Sequence, residues 1–418
     1  MVTSLYEANG HLTIGLLAKP GQSLTGVGRY VNMLEHKLRN RGVGIERVSP
    51  WVPRDRMITR ILRDRLHIDV PAFLSNYPVW AAYPETRVLH VSSQNLASLL
   101  MIRKPSVPTI VTVHDIIPYL LRDNPDLTSY RGVVDRRFDA LAMRGLRRAD
   151  YIVADSEFTR QSLIRELSLP GDRIGVVHLG IDHQRFRPTP PLQQLLERYQ
   201  LPAGRRFLIY VGSEDPRKNL KTLLNALALV HHERDDVDLI KVGRPHNQAE
   251  RASLISHAER IGIRHAIHFL EDVPESDLPA LYSLATICVM PSLYEGFGFP
   301  VLESMACGTP VVCSNAASLP ELAGDAALQF APGADSHYRL ALAINQILAD
   351  QALERRLKYA GFEQAARFTW EHTTDRTLDA YARVTERKRS TRRLFEIRRP
   401  ERRKAQPDQP DQQKTVMQ

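Results

Sequence analysis

The chain predicts an α/β protein of two successive units, each a parallel sheet with helices on both faces. Three observations carry this. Short apolar runs alternate with helical stretches along most of the 418 residues, the pattern of repeated strand–helix crossovers. The composition breaks at Arg187-Pro-Thr-Pro-Pro191, a stiff proline-rich joint, and the alternation then restarts. Glycine turns and charged side chains gather just after the strands, where open parallel sheets bind ligands. The expected boundaries are an N-terminal unit over 1–185, a linker over 186–204 and a C-terminal unit over 205–367. A crossover helix is expected over 368–390 and a basic, disordered tail over 391–418.

In chain order, Thr13-Ile-Gly-Leu-Leu17 is the first predicted strand. The glycine loop at Gly26 and Gly28 opens a helix to about Arg39. Further strands are expected at Val88-Leu-His-Val91, Thr109-Ile-Val-Thr-Val113, Tyr151-Ile-Val-Ala154 and Ile174-Gly-Val-Val177. Ser156 follows a strand and reads as the N-cap of a helix through Leu167. The second series runs Phe207 to Val211, Leu239 to Val242, His268 to Leu270, Ile287 to Met290 and Val311 to Cys313. Two such series joined by prolines predict two Rossmann-like domains facing a cleft.

The most informative stretch is Glu295-Gly-Phe-Gly-Phe-Pro-Val-Leu-Glu303. It follows the apolar strand Ile287-Cys-Val-Met290, which Pro291 and Ser292 terminate. Gly296 and Gly298 allow close backbone approach, and Pro300 suits the first turn of a helix running to about Gly308. The unsatisfied N–H groups and positive dipole end of that helix favour an anionic or polyhydroxyl ligand. The flanking carboxylates suit paired sugar hydroxyls. The plainer alternative is a capped helix with two solvated acids.

This segment resembles the E-x7-E signature of retaining glycosyltransferases of the GT-B fold, glycosyltransferase family 4 (glycosyl transferases group 1). The resemblance extends over most of the chain and is similar in flavour to bacterial polysaccharide mannosyltransferases. Tyr210-Val-Gly-Ser-Glu-Asp-Pro-Arg-Lys-Asn219 resembles the family's phosphate-binding segment. Leu281-Tyr282, Met305-Ala-Cys-Gly-Thr-Pro-Val-Val312, Thr25-Gly-Val-Gly-Arg-Tyr30 and Val113-His-Asp115 continue the pattern in the family's order.

The resemblance implies site roles. Glu295 would bind hydroxyls of the donor sugar, and Glu303 the ribose diol. The backbone N–H groups of Phe297, Gly298 and Phe299 would face the sugar or its phosphate. Gly26 and Gly28 would let the N-terminal domain close over the diphosphate, and His114 would lie beside the sugar ring near the anomeric carbon. Val273 would present its backbone to the base, and Arg244 would border it. Departure of a nucleoside diphosphate builds negative charge that fixed cations must stabilise; Arg217 and Lys218 supply two just after a strand. Lys218 matches the family's phosphate lysine. The family's additional arginine position holds Ser213 here, leaving the role to Arg217. A glutamate before a glycine turn, with no separate acid/base partner, favours an orienting Glu295 over a nucleophile. The resemblance implies metal-independent catalysis and no cofactor. Asp236-Val-Asp238 has a metal-like DxD spacing but precedes its strand, so it is expected to be a solvated turn, and no cluster has zinc-ligand spacing.

The net charge of +9 is uneven. Residues 383–404 carry eleven Lys or Arg against three Glu, a net of +8, and residues 405–418 carry −1, leaving about +2 on the first 382. The excess therefore concerns surfaces and partners. Arg387-Lys-Arg389, Arg392-Arg393 and Arg398-Arg399 interleave with Leu394, Phe395 and Ile397, and Met57 to Leu66 repeats the basic, apolar mixture. Both fit contact with an anionic membrane face, the first over 387–404. Leu378, Tyr381 and Val384, at helical spacing, are expected to pack the final helix on the body. Cys288, Cys307 and Cys313 lie in apolar contexts and read as buried thiols of a reducing compartment. No signal peptide and no apolar run of roughly 18 residues is legible, so a cytoplasmic protein, peripheral on the inner membrane face, is expected. The expected partners are a nucleotide-sugar donor, with a lean to GDP-mannose, and a glycan or lipid-linked acceptor of envelope or exported polysaccharide. A nucleotide-sugar epimerase of the same fold would need ring-facing acid/base carboxylates, which the sequence does not offer. A nucleic-acid-binding protein would need a basic body or a recognition motif. A non-catalytic nucleotide-sugar sensor would not need Glu295, Glu303 and Lys218 together.

Overall fold

The computed structural model describes residues 12–19, 26–52, 70–130, 132–190, 193–245 and 247–397. The Met57–Leu66 segment and residues 398–418 lie outside the described residues, as do the side chains of 389–397. The described residues form two parallel sheets of six strands each, with helices packed around them. The first has the order β2-β1-β3-β4-β5-β6, from β1 (Thr13–Leu17), β2 (Gly44–Val48), β3 (Val88–Val91), β4 (Thr109–Val113), β5 (Tyr151–Ala154) and β6 (Ile174–Val176). The second has the order β12-β11-β10-β7-β8-β9, from β7 (Arg206–Val211), β8 (Val237–Val242), β9 (Ile267–Leu270), β10 (Ile287–Met290), β11 (Val311–Ser314) and β12 (Ala327–Phe330). This is the pair of Rossmann-like units that the strand–helix alternation predicts.

The central strands are buried on both faces and read as continuous apolar runs. β2 and β12 have no counterpart in the strand expectations. Both are edge strands with half-exposed patterns, Gly-Ile-Glu-Arg-Val and Ala-Leu-Gln-Phe. Asp238, expected in a solvated turn, is instead the second residue of β8. It is buried and accepts bonds from Arg205 Nε (3.1 Å) while facing His268 Nε2 (2.8 Å). Asp236 is an outer partner of Arg206.

The two passes of chain between the sheets run together. Ile181 N donates to the Phe368 carbonyl at 3.1 Å. A Cβ on Gly180 would lie 2.2 Å from Trp370 N, so this crossing requires glycine. Within 186–204, a short helix, Gln193–Arg198, buries Leu195, and Thr189 N donates to Ser283 Oγ at 3.0 Å. The final helix, Trp370–Ile397, returns to pack on the helix Gly26–Asn40 and on β5. Leu378, Tyr381 and Val384 are buried there, as the spacing predicts. The helix runs past the expected end at 390 because neither glycine nor proline intervenes before Pro400. Part of its basic character is spent on the body: Arg387 pairs with Asp172 (3.2 Å), and Lys388 lies 3.9 Å from Asp150.

Candidate active site

The carboxyl ends of the two sheets border a cavity of about 910 Å³. From the second sheet come the loops after β7, β8, β9 and β10. From the first come the start of the helix Gly26–Asn40 and the residues just after β4 and β5. All predicted site residues line the cavity except Gly28, which is buried inside its helix. Gly26 lies at the helix start, with open space beside it up to the Phe299 ring.

The loop after β7 is shaped by a buried ion network. Glu214 accepts from Arg251 Nε at 2.8 Å and Lys241 Nζ at 2.6 Å, and all three are buried. Such groups leave water only when paired. Asp215 then caps a single turn, accepting from Arg217 N at 3.1 Å, and Asn219 adopts a left-handed conformation at its end. The loop is tied to the β10 loop, because Leu293 N donates to the Arg217 carbonyl (2.8 Å) and Asn219 Nδ2 to the Pro291 carbonyl (3.2 Å). This places Lys218 Nζ 2.6 Å from both oxygens of Glu295. Ser292 Oγ adds a bond at 2.8 Å, and Arg217 stands 4.0 Å away while donating to the Tyr294 carbonyl. Burial pushes the Glu295 carboxyl up, but Lys218 and Arg217 outweigh it and hold the group below the usual carboxylate range.

The helix Phe299–Ala306 follows, with Pro300 in its first turn and Gly298 at its N-cap, φ 114°. The two glycines of this turn make close approaches to protein. A Cβ on Gly296 would meet the His114 carbonyl at 2.6 Å, and one on Gly298 would meet Leu319 at 2.9 Å. Ser156 Oγ also donates to the Gly296 carbonyl at 2.9 Å, so the turn is seated against the first sheet. Glu303, one turn into the helix, accepts from Arg29 Nη1 (2.7 Å) and from the Tyr282 hydroxyl (3.0 Å). Each carboxylate oxygen has a second lone pair for a ligand diol. Arg29 also stacks on Phe299, 4.9 Å from its ring centre, and lies 4.0 Å from Glu275. Val273 lines the cavity near the rim, where the exposed Arg244 pairs with Asp272 at 2.5 Å. His114, at the end of β4, meets Asp155 Oδ2 through Nδ1 at 2.5 Å and the Ser92 carbonyl through Nε2 at 2.9 Å.

Residues 24–185 match the family described as Glycosyltransferase Family 4, and residues 193–364 match Glycosyl transferases group 1. A D-inositol 3-phosphate glycosyltransferase 2 of Catenulispora acidiphila is 30% identical over 299 residues, 68% of this chain and 67% of that one. The chain belongs to glycosyltransferase family 4. An O-antigen chain mannosyltransferase B of Escherichia coli is 39% identical over 237 residues, 56% of this chain; the match spans 60% of that relative's length. A sucrose-phosphate synthase structure from Thermosynechococcus elongatus superposes with a TM-score of 0.68 at 22% identity, over 93% of this chain and all of the other. At that identity it attests the fold.

Sequence reasoning did not single out three residues of this family 4 site. Arg29 lies inside the Thr25–Tyr30 motif, directly after Gly28. Asp155 stands between β5 and the N-cap Ser156, whose Oγ accepts from Thr159 N at 3.1 Å as predicted. Glu275 follows the β9 loop and ties Arg29 to Arg185. The legible signal for Asp155 was its place at a strand's carboxyl end. Glu275 and Arg29 required knowledge of which loops meet. The three cysteines are buried, and burial pushes each thiol up to about 12.

Proposed function

We propose that this family 4 glycosyltransferase moves a hexose from a nucleotide-diphosphate sugar to a glycan or lipid-linked acceptor, with retention of configuration and without a metal. The carrying observation is the convergence of Glu295, Lys218, Arg217, Glu303 and His114 on one cavity. Glu303 suits the ribose diol, and Arg217 and Lys218 suit the diphosphate. Glu295, tied by Lys218 and Ser292, suits orientation of sugar hydroxyls better than attack on carbon. In the transfer, the bond from the anomeric carbon to the diphosphate oxygen breaks. The acceptor oxygen bonds to that carbon on the same face, and its proton passes to the departing phosphate oxygen. The fixed cations act most strongly where charge develops on the leaving group.

The relative named as an O-antigen chain mannosyltransferase supports a mannosyl donor and an acceptor in envelope polysaccharide synthesis; the donor's nucleotide is proposed to be guanosine diphosphate. Among the described residues no helix is long and apolar enough to cross a membrane; the basic stretch over 387–404 is proposed to touch an anionic membrane surface. The test is a panel of nucleotide sugars scored by thermal stabilisation, since a ligand that binds the native state at 100 times its Kd adds about 2.7 kcal/mol. GDP-mannose should stabilise most, and transfer should survive a chelator. A larger shift with a uridine-diphosphate sugar overturns the donor, and loss on chelation with recovery on adding a divalent ion overturns the metal-free reading.

A further inference from the structure

Two buried histidines, one on β3 and one just after β4, sit side by side at the first sheet and face opposite surroundings. His90, on β3, meets hydroxyls: Tyr381 at 2.7 Å through Nδ1 and Thr112 at 2.8 Å through Nε2. A hydroxyl donates or accepts, so a neutral ring is satisfied there, and burial holds its pKa down at about 3. His114, just after β4, meets acceptors on both sides. Its Nδ1 faces the Asp155 carboxylate and its Nε2 faces the Ser92 carbonyl, which has no proton to give. With Asp155 ionised, a ring between these two acceptors bonds fully only as imidazolium.

We propose that Asp155 is a positioning residue for transfer, holding His114 as a fixed imidazolium on the cleft wall opposite Arg217 and Lys218. This rests on the glycosyltransferase reading of the cavity. Asp155 is buried and lines that cavity, and among the described residues its Oδ1 has no hydrogen-bond partner. An ionised carboxylate in this setting is stabilised chiefly by the cation on its other oxygen. Burial lowers the His114 pKa, but Asp155, the Ser92 carbonyl and Asp115 together raise it above the ordinary value; burial raises the Asp155 pKa as well, and His114 is the chief group opposing that rise. The remaining groups facing the pair are His90, the Tyr30 ring at 5.0 Å from His114, and His178, which acts on Asp155.

The consequence is chemical. A ring already donating through both nitrogens cannot take the acceptor's proton, which accords with its proposed transfer to the departing phosphate oxygen. The positive ring adds to the stabilisation of the same leaving group from the N-terminal side.

The test is nitrogen NMR of the full chain with labelled histidine, without substrate. His114 is assigned by difference against His114→Gln. At neutral pH both His114 nitrogens should carry protons, and in Asp155→Asn one should lose its proton. Transfer by Asp155→Asn should fall about tenfold or more, the loss of one charge-assisted hydrogen bond, with nucleotide affinity within about twofold. Its pH profile should gain a descending limb at or below the ordinary histidine pKa of about 6.5, because burial then acts on His114 without the Asp155 charge. A deprotonated His114 nitrogen in the unsubstituted chain at neutral pH overturns the proposal, even if Asp155→Asn fails to fold. So does a doubly protonated His114, or an unchanged pH profile, in Asp155→Asn. Because the spectra need no donor, failure of the donor reading leaves this result interpretable.

Discussion

Lys218→Met removes the cation but keeps most of the side-chain stem, which leaves Glu295 buried with one close donor, Ser292 Oγ. Breaking a buried pair typically costs about 3–5 kcal/mol, because an uncompensated charge remains. Arg217, at 4.0 Å, offsets part of that, so a destabilisation near the lower end, about 3 kcal/mol, is expected. The pH dependence follows from the sign of the shift. In the native protein the Glu295 pKa is depressed. The pair's contribution is therefore complete above the ordinary carboxyl value of about 4.3 and is lost as pH falls through the depressed one. In Lys218→Met burial dominates and the carboxyl moves upward, so ionisation costs stability above about pH 4.3. Urea unfolding of both proteins should show the full gap at about pH 7 and a narrower one at about pH 4. Turnover should collapse far more than donor affinity, since the lysine acts on charge that grows at the transition state. A gap below about 1 kcal/mol at about pH 7, the value of an exposed pair, or one equal at both pH values, refutes this account of the Lys218–Glu295 contact.

Glu303→Ala should weaken binding of both free nucleotide and nucleotide sugar by about 1.5–3 kcal/mol, whereas Glu295→Ala should cut turnover and leave free-nucleotide affinity nearly intact; equal losses in nucleotide titrations would reject the division of roles. Gly296→Ala places a methyl group against the His114 carbonyl, so kcat should drop on the order of a hundredfold, the effect of roughly 1 Å of misplacement; unchanged kcat would show that the turn relaxes freely. With thiols buried and pushed up to about 12, Cys288, Cys307 and Cys313 should resist alkylation in the native protein at mildly alkaline pH and all react in denaturant, as mass spectrometry will show. Truncation after residue 390 should abolish salt-sensitive pelleting with anionic vesicles and spare transfer to a soluble acceptor; undiminished pelleting would assign the contact elsewhere.

The sequence by itself determined the two-sheet architecture, because strands buried on both faces need unbroken apolar runs and crossover helices need amphipathic ones. Ile287–Met290 and Thr109–Val113 carry that signal within their own residues. The edge strands β2 and β12 do not, since a strand paired on one side tolerates Glu46, Arg47 and Gln329. The E-x7-E turn, the Ser156 cap and the Arg217-Lys218 pair were legible for the same local reason: each is a short-range device of strand end, turn and helix start. Tertiary structure decided what these devices meet. Gly296 turned out to fit against the His114 carbonyl, a contact across 182 residues of chain. Glu303 is held by Arg29, and His114 by Asp155 and Ser92. Such partnerships depend on which loop ends the two sheets bring together, and linear spacing does not encode that distance. Asp238 shows the same limit in reverse: its DxD spacing reads as a solvated turn, and the sheet buries it between Arg205 and His268.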